Sequence, residues 1–280
     1  MNLMDCHSHT TNSPDAHNSV EEMCQRAMEI GLYAYTITDH CEVNRFYGVE
    51  HYTDTPNEYD TYHFDIDFEK SMSENTLYKE KLEGKLRFFS GIELGQATFD
   101  IPLADKIVSD KRLDFVIGSM HQIPDADDFA FIDYNKYNPA ELMERYFDEI
   151  LKLCRWGGFD VLGHLTYTLR YMEGEKGIKV DMSRYDEKIR ECFKILVERG
   201  KGIEINTSGL RQKYGKTFPS LEYIKMFKEM GGEIITVGSD SHRVSDLGKG
   251  IKEGLQLAKE AGFKHICYFK ERKPVFVDIE

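Results

Sequence analysis

Ten histidines occur in the 280 residues, and the spacing of some of them could do chemistry. His7 and His9 stand in an H-S-H run, and Asp240 and His242 repeat the device as D-S-H. In an extended run, alternate residues point to the same face, so both side chains of such a pair can grip one cation. Glu93, His121, His164 and the Asp39-His40 dipeptide offer further nitrogen and oxygen donors. Imidazole is a borderline-soft ligand suited to zinc, iron or manganese. Ions of that kind can make a nucleophile of water near neutral pH, so metal-assisted hydrolysis is among the chemistries such a cluster could do. Each histidine taken singly reads more readily as a buried imidazole satisfied by a backbone carbonyl, or as a surface residue, than as a metal ligand.

What separates the two readings is where these residues fall. Residues 3–9, 33–39, 86–94, 114–120, 159–165, 202–206 and 233–239 read as short buried strands. Between most of them lie amphipathic segments, at 20–30, 68–82, 102–109, 139–156, 184–199, 220–230 and 246–261. The first is entered through Ser19-Val20-Glu21-Glu22, a capping-box pattern. Repeated strand-then-helix units imply parallel strands with right-handed crossovers, hence an α/β sheet or barrel. Six of the ten histidines, with Glu93 and Asp240, then sit at the C-terminal ends of strands. Loops converge on one crevice at that edge, so side chains remote in sequence meet there. Residues 44–75, rich in Tyr, Asp and Glu, are too long for an ordinary βα loop and are expected to wall or cover the pocket. Residues 265–279 read as two short β segments around Glu271-Arg272-Lys273.

Composition narrows the classes. With 41% apolar residues, 12% aromatics and seven prolines, the chain reads as folded, with room for one barrel-sized domain or two small ones. Its longest apolar runs fall far short of the ~20 residues a membrane span requires, and the start MNLMDCHSHT lacks a secretory pattern, so a cytoplasmic location is expected. Six scattered cysteines without a CxxC pair suit reduced thiols. A formal net charge of −13 disfavours nucleic acid as a partner.

The motifs D-C-H-S-H-T (Asp5 to Thr10), Ser13-Pro14-Asp15, T-D-H ending at His40, G-I-E ending at Glu93, G-S-M-H ending at His121, G-H-L-T from Gly163, N-T-S-G-L-R from Asn206 and G-S-D-S-H ending at His242 run in order along the chain. In these the sequence resembles the PHP family, named for polymerase and histidinol phosphatase, and within it the histidinol-phosphatase branch. The resemblance implies a distorted, TIM-like (β/α)7 barrel, one domain over residues 1–280, holding three divalent metal ions at its C-terminal mouth. Carried over by position, His7, His9, Asp240 and Glu93 would hold one ion; Glu93, His121 and His164 a second; Asp15, His40 and His242 the third. Zinc, iron and manganese are all compatible with these donors. Glu93, Asp240 and His17 are the catalytic candidates, with His17 as substrate contact or proton donor. Arg170 and Arg211 are the phosphate-binding candidates, since a guanidinium fork matches phosphate oxygens. The activity implied is hydrolysis of the small phosphomonoester L-histidinol phosphate, in histidine biosynthesis, by a hydroxide bridging two ions that attacks phosphorus in line.

Two other readings keep part of this. The same metals could serve another small phosphomonoester, phosphotyrosine, a phosphodiester or a nucleic acid end, since fold does not settle substrate. A non-catalytic metal-binding module would be expected to lack one or more ligands, and none is missing. His51, His63 and His265 are expected to bind no metal, and Trp156 and the Phe64/Phe68 neighbourhood to pack. Glu50, Asp54, Glu58 and Asp60 could attract a cationic substrate, although a solvated acidic face suits them better.

Overall fold

The computed structural model describes residues 2–43 and 64–279. Among them, seven parallel strands lie side by side in sequence order: β1 (Met4–Asp5), β2 (Ala34–Glu42), β3 (Phe88–Gly95), β4 (Phe115–Ser119), β5 (Val161–Leu162), β6 (Gly202–Asn206) and β7 (Ile235–Gly238). Every residue of β3, β4, β6 and β7 is buried, which is why these segments read as near-continuous apolar runs. The ends of the sheet meet. Cys6 N–H donates to the Val237 carbonyl, Asp240 N–H donates to the His7 carbonyl, and Ser8 and Ser241 form a parallel bridge. A distorted, TIM-like barrel results, as expected.

Seven helices among the described residues cover the barrel: α1 (Val20–Glu29), α2 (Phe64–Lys81), α3 (Ile101–Val108), α4 (Pro139–Trp156), α5 (Asp186–Glu198), α6 (Leu221–Glu229) and α7 (Ile251–Glu260). Their limits follow local chemistry. Ser19 and Glu22 form the reciprocal capping box that the sequence predicts for α1. Asp100 caps α3 by accepting from Leu103 N–H, and α4 ends at Gly157, whose φ of 67° only glycine adopts freely.

Four expectations need adjusting, one being that the strand expected over 159–165 is paired only at Val161 and Leu162. The first strand is shorter than 3–9, because past Asp5 the backbone stops pairing regularly with β2 and divides its hydrogen bonds between β2 and the chain around β7. The last helix starts at Ile251, not 246, because Gly248 and Gly250 take positive φ and break the turn before it. Of the expected pocket-wall segment 44–75, residues 64–75 are the first turns of α2, while 44–63 lie outside the described residues. His51, His63, Glu50, Asp54, Glu58 and Asp60 lie there too.

The chain ends in an antiparallel hairpin, β8 (His265–Lys270) and β9 (Lys273–Asp278), around Glu271 and Arg272. This turn plugs the barrel at the N-terminal ends of its strands. Glu271 N–H donates to Asp114 Oδ1, and Arg272 donates to Asp160 Oδ2 at 2.5 Å and to the carbonyls of Val108 and Gly158. Rings of Phe89 and Tyr268, and of Phe115 and Phe269, stack behind it. His265 pairs with Asp278 in this hairpin, well apart from the other histidines. Phe68 and Trp156 pack against the core, as expected.

Candidate metal centre

The opposite rim collects the donors. His7 and His9 lie in the extended segment after β1, fully buried, with their Nε2 atoms 3.1 Å apart. Asp240 meets them from the turn after β7, its Oδ1 3.4 Å from His9 Nε2 and 3.8 Å from His7 Nε2. That turn is strained: Asp240 has a φ of 52°, a region asparagine and aspartate tolerate better than most residues. The bond from its N–H to His7 and the pairing of its Oδ2 with Arg170 at 2.8 Å hold it there.

Glu93, near the end of β3 and about 1% exposed, occupies the middle. Its Oε1 lies 2.6 Å from His164 Nε2 and 3.0 Å from His121 Nε2, and accepts from Ser119 Oγ. Its Oε2 lies 3.3 Å from His7 Nε2, 3.5 Å from His9 Nε2 and 3.1 Å from His40 Nδ1. One carboxylate thus turns each oxygen to a different histidine cluster. Asp15, on the loop after His9, faces His242 Nε2 at 3.1 Å and His40 Nε2 at 3.5 Å. All nine expected ligand residues therefore meet in one contiguous site.

The donor set fits metal ions. His7 Nε2 faces His9 Nε2 at 3.1 Å, and His121 Nε2 faces His164 Nε2 at 3.3 Å, each pair beside a carboxylate oxygen. Two imidazole lone pairs aimed at each other repel unless a proton or a cation lies between them. Among the described residues, nothing hydrogen-bonds the buried His164 Nδ1. Sets of three donors close enough to share an ion are His7/His9/Asp240, Glu93/His121/His164, His9/His40/His242 and His40/Glu42/His121.

Charge pairing dominates ionisation in this site. Complete burial works against ionised carboxylates, yet His121 and His7 hold Glu93 well below the usual range, and His7 and Arg170 do the same for Asp240. Asp15 is likewise depressed, against burial, by His242 and His40. Burial also opposes imidazolium. Even so, Glu204, Glu93 and Asp240 raise His7 well above its ordinary value, and Glu93 and Glu42 bring His121 up to about 10. His9 moves the other way, pushed down by burial and by His242 and His40.

Two carboxylates that sequence reading passed over prove central. Glu204, in the middle of β6, accepts from His7 Nδ1 at 2.6 Å with Oε1 and from His164 N–H at 2.9 Å with Oε2. Glu42 accepts from His121 Nδ1 at 2.9 Å and from Gln96 Nε2 at 2.7 Å. Each fixes which ring nitrogen of its histidine faces the cluster. Both had a signal: Glu42 stands two residues after His40, the same alternate spacing as His7 and His9, and Glu204 is a charge between two isoleucines of a buried strand. Asp39, by contrast, turns from the cluster to bind Thr10, Ser13 and Ser71.

A cavity of about 110 Å³ opens over the cluster, lined among others by Asp15, His40, Glu93, His121, His164, Arg170, Asp240 and His242. Arg170 enters its wall and bonds Ser208 Oγ as well as Asp240. Arg211 stands farther out, in an adjoining hollow with Arg170, Asp240, His242 and Arg243, and donates to the Asp240 carbonyl at 3.3 Å. His17 is not among the cavity-lining residues; its backbone N–H donates to the His242 carbonyl.

The PHP domain family model matches residues 5–208. The chain is 30% identical over 271 residues to a probable histidinol-phosphatase of Clostridium acetobutylicum, covering 96% of this chain and 97% of that one. It is 26% identical over 269 residues to a probable histidinol-phosphatase of Thermotoga maritima, covering 95% of each. Among solved structures, the histidinol phosphate phosphatase of Lactococcus lactis, complexed with zinc, L-histidinol and phosphate, superposes with a TM-score of 0.79. It shares 23% identity, with 98% of this chain and 99% of that chain covered.

Proposed function

The chain belongs to the PHP domain family, and from that premise we propose that it is a metal-dependent phosphatase that hydrolyses L-histidinol phosphate to L-histidinol and phosphate. The observation that carries the reading is Glu93, whose two oxygens each face a separate group of histidines within a ring of nine donors. We assign His7, His9, Asp240 and Glu93 to one ion, Glu93, His121 and His164 to a second, and Asp15, His40 and His242 to a third, with zinc, iron and manganese all suited to the donors. Such ions, when bound, supply positive charge for the phosphoryl oxygens and an activated water.

The chain's own residues do the rest. Buried carboxylates that stay ionised keep the histidines fixed, so the site is organised before substrate arrives. Arg170, anchored on Asp240 and Ser208, presents its guanidinium to the cavity where phosphate oxygens would lie. Arg211, from the neighbouring hollow, adds a second positive charge behind it. For the departing alcohol a proton must be provided; His17 is the candidate, and its role predicts loss of the alkaline limb of the pH–rate profile in His17→Asn. Residues 1–280 work here as one domain. No helix among the described residues is long and apolar enough to cross a membrane, and the six cysteines are free and buried, which favours a reducing, cytoplasmic setting.

The test is turnover by purified, metal-loaded protein of L-histidinol phosphate against a panel of phosphomonoesters, phosphotyrosine and a phosphodiester. A clear preference in kcat/KM for L-histidinol phosphate is expected. Equal rates across the panel would overturn the substrate assignment, and absence of turnover with metal bound would overturn the enzymatic one.

A further inference from the structure

Successive side chains of β2 point to opposite faces, so His40 and Glu42 look into the site while Asp39 points away from it, toward α2. Asp39 is about 1% exposed, and four donors converge on it. Thr10 N–H donates to Oδ1 at 2.6 Å, and Thr10 Oγ1 lies 2.9 Å from Oδ2. Ser13 Oγ donates to Oδ1 at 2.9 Å, and Ser71 Oγ, from α2, to Oδ2 at 2.8 Å. Close by, Asn12 Nδ2 donates to Glu74 of α2 at 2.9 Å. The segment that carries His9, Ser13 and Asp15 is thus pinned to the helix at two points, one of them through Asp39.

These contacts fix the direction of a hydrogen bond to one of the candidate ligands. Because Thr10 N–H points at Oδ1, that oxygen carries no hydrogen, so the hydrogen between it and Ser13 Oγ is the hydroxyl's own. With its one hydrogen committed, Ser13 Oγ can only accept from its other neighbours. It accepts from His40 N–H at 3.0 Å and faces His9 Nδ1 at 3.2 Å. His9 Nδ1 must then supply the hydrogen of that bond, which leaves the lone pair on Nε2. Nε2 is the atom that faces His7 Nε2 at 3.1 Å and Asp240 Oδ1 at 3.4 Å. Glu204 and Glu42 orient His7 and His121 by direct contact; for His9 the carboxylate works through a hydroxyl.

We propose that Ser13 is a positioning residue for metal binding and that Asp39 sets its polarity. Ser13 presents His9 to the cluster through Nε2. Bonded to the His40 N–H and standing two residues before Asp15, it also places two of the ligands assigned to the third ion. Glu93, His121 and His164 are held from elsewhere, by Ser119, Glu42 and Glu204. Retention of the ions at His9 and at Asp15 and His40 therefore depends on Ser13, and retention of the ion at Glu93, His121 and His164 does not. The inference rests on the metal-dependent reading above, but it concerns which ions are lost first and not what is hydrolysed.

The experiment loads Ser13→Ala and the natural protein with zinc and follows the zinc retained per chain, by elemental analysis, across a series of chelator concentrations. In Ser13→Ala part of the zinc is expected to leave at about 10-fold lower chelator concentration, the lower end of the range for loss of a partner behind a metal-bound histidine. The remainder leaves where it does in the natural protein. Release of all the zinc at the natural concentrations would overturn the proposal, and so would a uniform shift of all of it, which marks general damage to the site. Asp39→Asn keeps an oxygen for Thr10 N–H and Ser13 and is expected to release zinc as the natural protein does; release as early as in Ser13→Ala would refute the part given to Asp39. Should Ser13→Ala fail to fold, the natural protein still decides. NMR of the zinc-loaded protein with isotope-labelled histidine nitrogens shows which ring nitrogen of His9 carries hydrogen, the ring being identified by its proximity to the Ser13 methylene. Hydrogen on Nδ1 is expected, and hydrogen on Nε2 would refute the polarity. Zinc retention is read without substrate, so a natural protein that binds zinc yet hydrolyses no ester would sink the phosphatase reading and leave this one standing. A natural protein that takes up no zinc would overturn both.

Discussion

Glu204→Gln tests the claim that carboxylates behind the histidines make the centre. Glu204 is about 1% exposed, and both of its oxygens are committed as acceptors. Oε1 lies 2.6 Å from His7 Nδ1; Oε2 accepts from His164 N–H at 2.9 Å and from Asn206 Nδ2 at 3.3 Å. Glutamine has the same shape but only one acceptor. If its carbonyl oxygen serves His7, its amide group meets the His164 N–H and Asn206 donor to donor; if it is flipped, His7 Nδ1 loses its partner. Either way a member of the centre loses the contact that orients it. Loss of such a partner weakens metal binding by about 10- to 100-fold, or about 1.4 to 2.7 kcal/mol. The assay is metal content after dialysis against a graded series of chelator concentrations, with kcat/KM measured at each step and a thermal melt to confirm folding. The chelator midpoint for Glu204→Gln should fall by that factor. A folded variant that keeps its metal at the same chelator concentrations as the natural protein would refute the reasoning.

Other outcomes follow from the same contacts. A Cβ on Gly238 would stand 2.3 Å from His7 Cβ and 2.6 Å from Glu204 Oε1, so Gly238→Ala must displace His7. A misplacement near 1 Å costs about 100-fold in kcat, and rates like those of the natural protein would contradict the placement. Arg272→Ala strips the nearer of two cations from Asp160, about 3% exposed, leaving Lys201 at 3.9 Å and the Val116 N–H, and should lower unfolding free energy by about 3 kcal/mol in a urea titration. Turnover of the folded fraction should be unaltered; a stability loss within error would deny the hairpin plug its role. Finally, His121, held at about 10 against burial by Glu93 and Glu42, is protonated at neutral pH in chelator-stripped protein. A raised pKa means that protons compete with metal until pH approaches that value. Zinc titration at pH 7 should therefore release protons to an indicator dye, and apparent affinity should rise with pH through the neutral range. Zinc uptake without proton release would count against the charge pairing.

Much of this protein is legible in its residues because the strands are short, buried and regularly spaced. A parallel strand with both faces covered must be apolar to its end, so the first polar donor after each apolar run marks the barrel rim. That rule places His121 after β4 and Asp240 and His242 after β7 without any structure. It also limits what can be seen. Glu204 sits inside a strand and Glu42 at the last residue of one; their partners, His7 and His121, are remote in sequence. Asp128 belongs to a loop with no periodicity, and it reaches the cavity lining through that loop's bonds to Gln122 and His121, which no local pattern encodes.

The sequence by itself determined the alternation of strand and helix, the donor types and the edge on which they gather. These depend on local periodicity and on the chemistry of single side chains. Only the tertiary structure decided that the two oxygens of Glu93 face different histidines, that Arg170 lies nearer the cluster than Arg211, and that His17 stands outside the cavity lining. Those relations depend on barrel closure, where β1 and β7 meet through Cys6, His7 and Asp240, and on the φ of 52° that aims Asp240 inward. Such distances arise from packing across the whole ring of strands, and no stretch of contiguous residues encodes them.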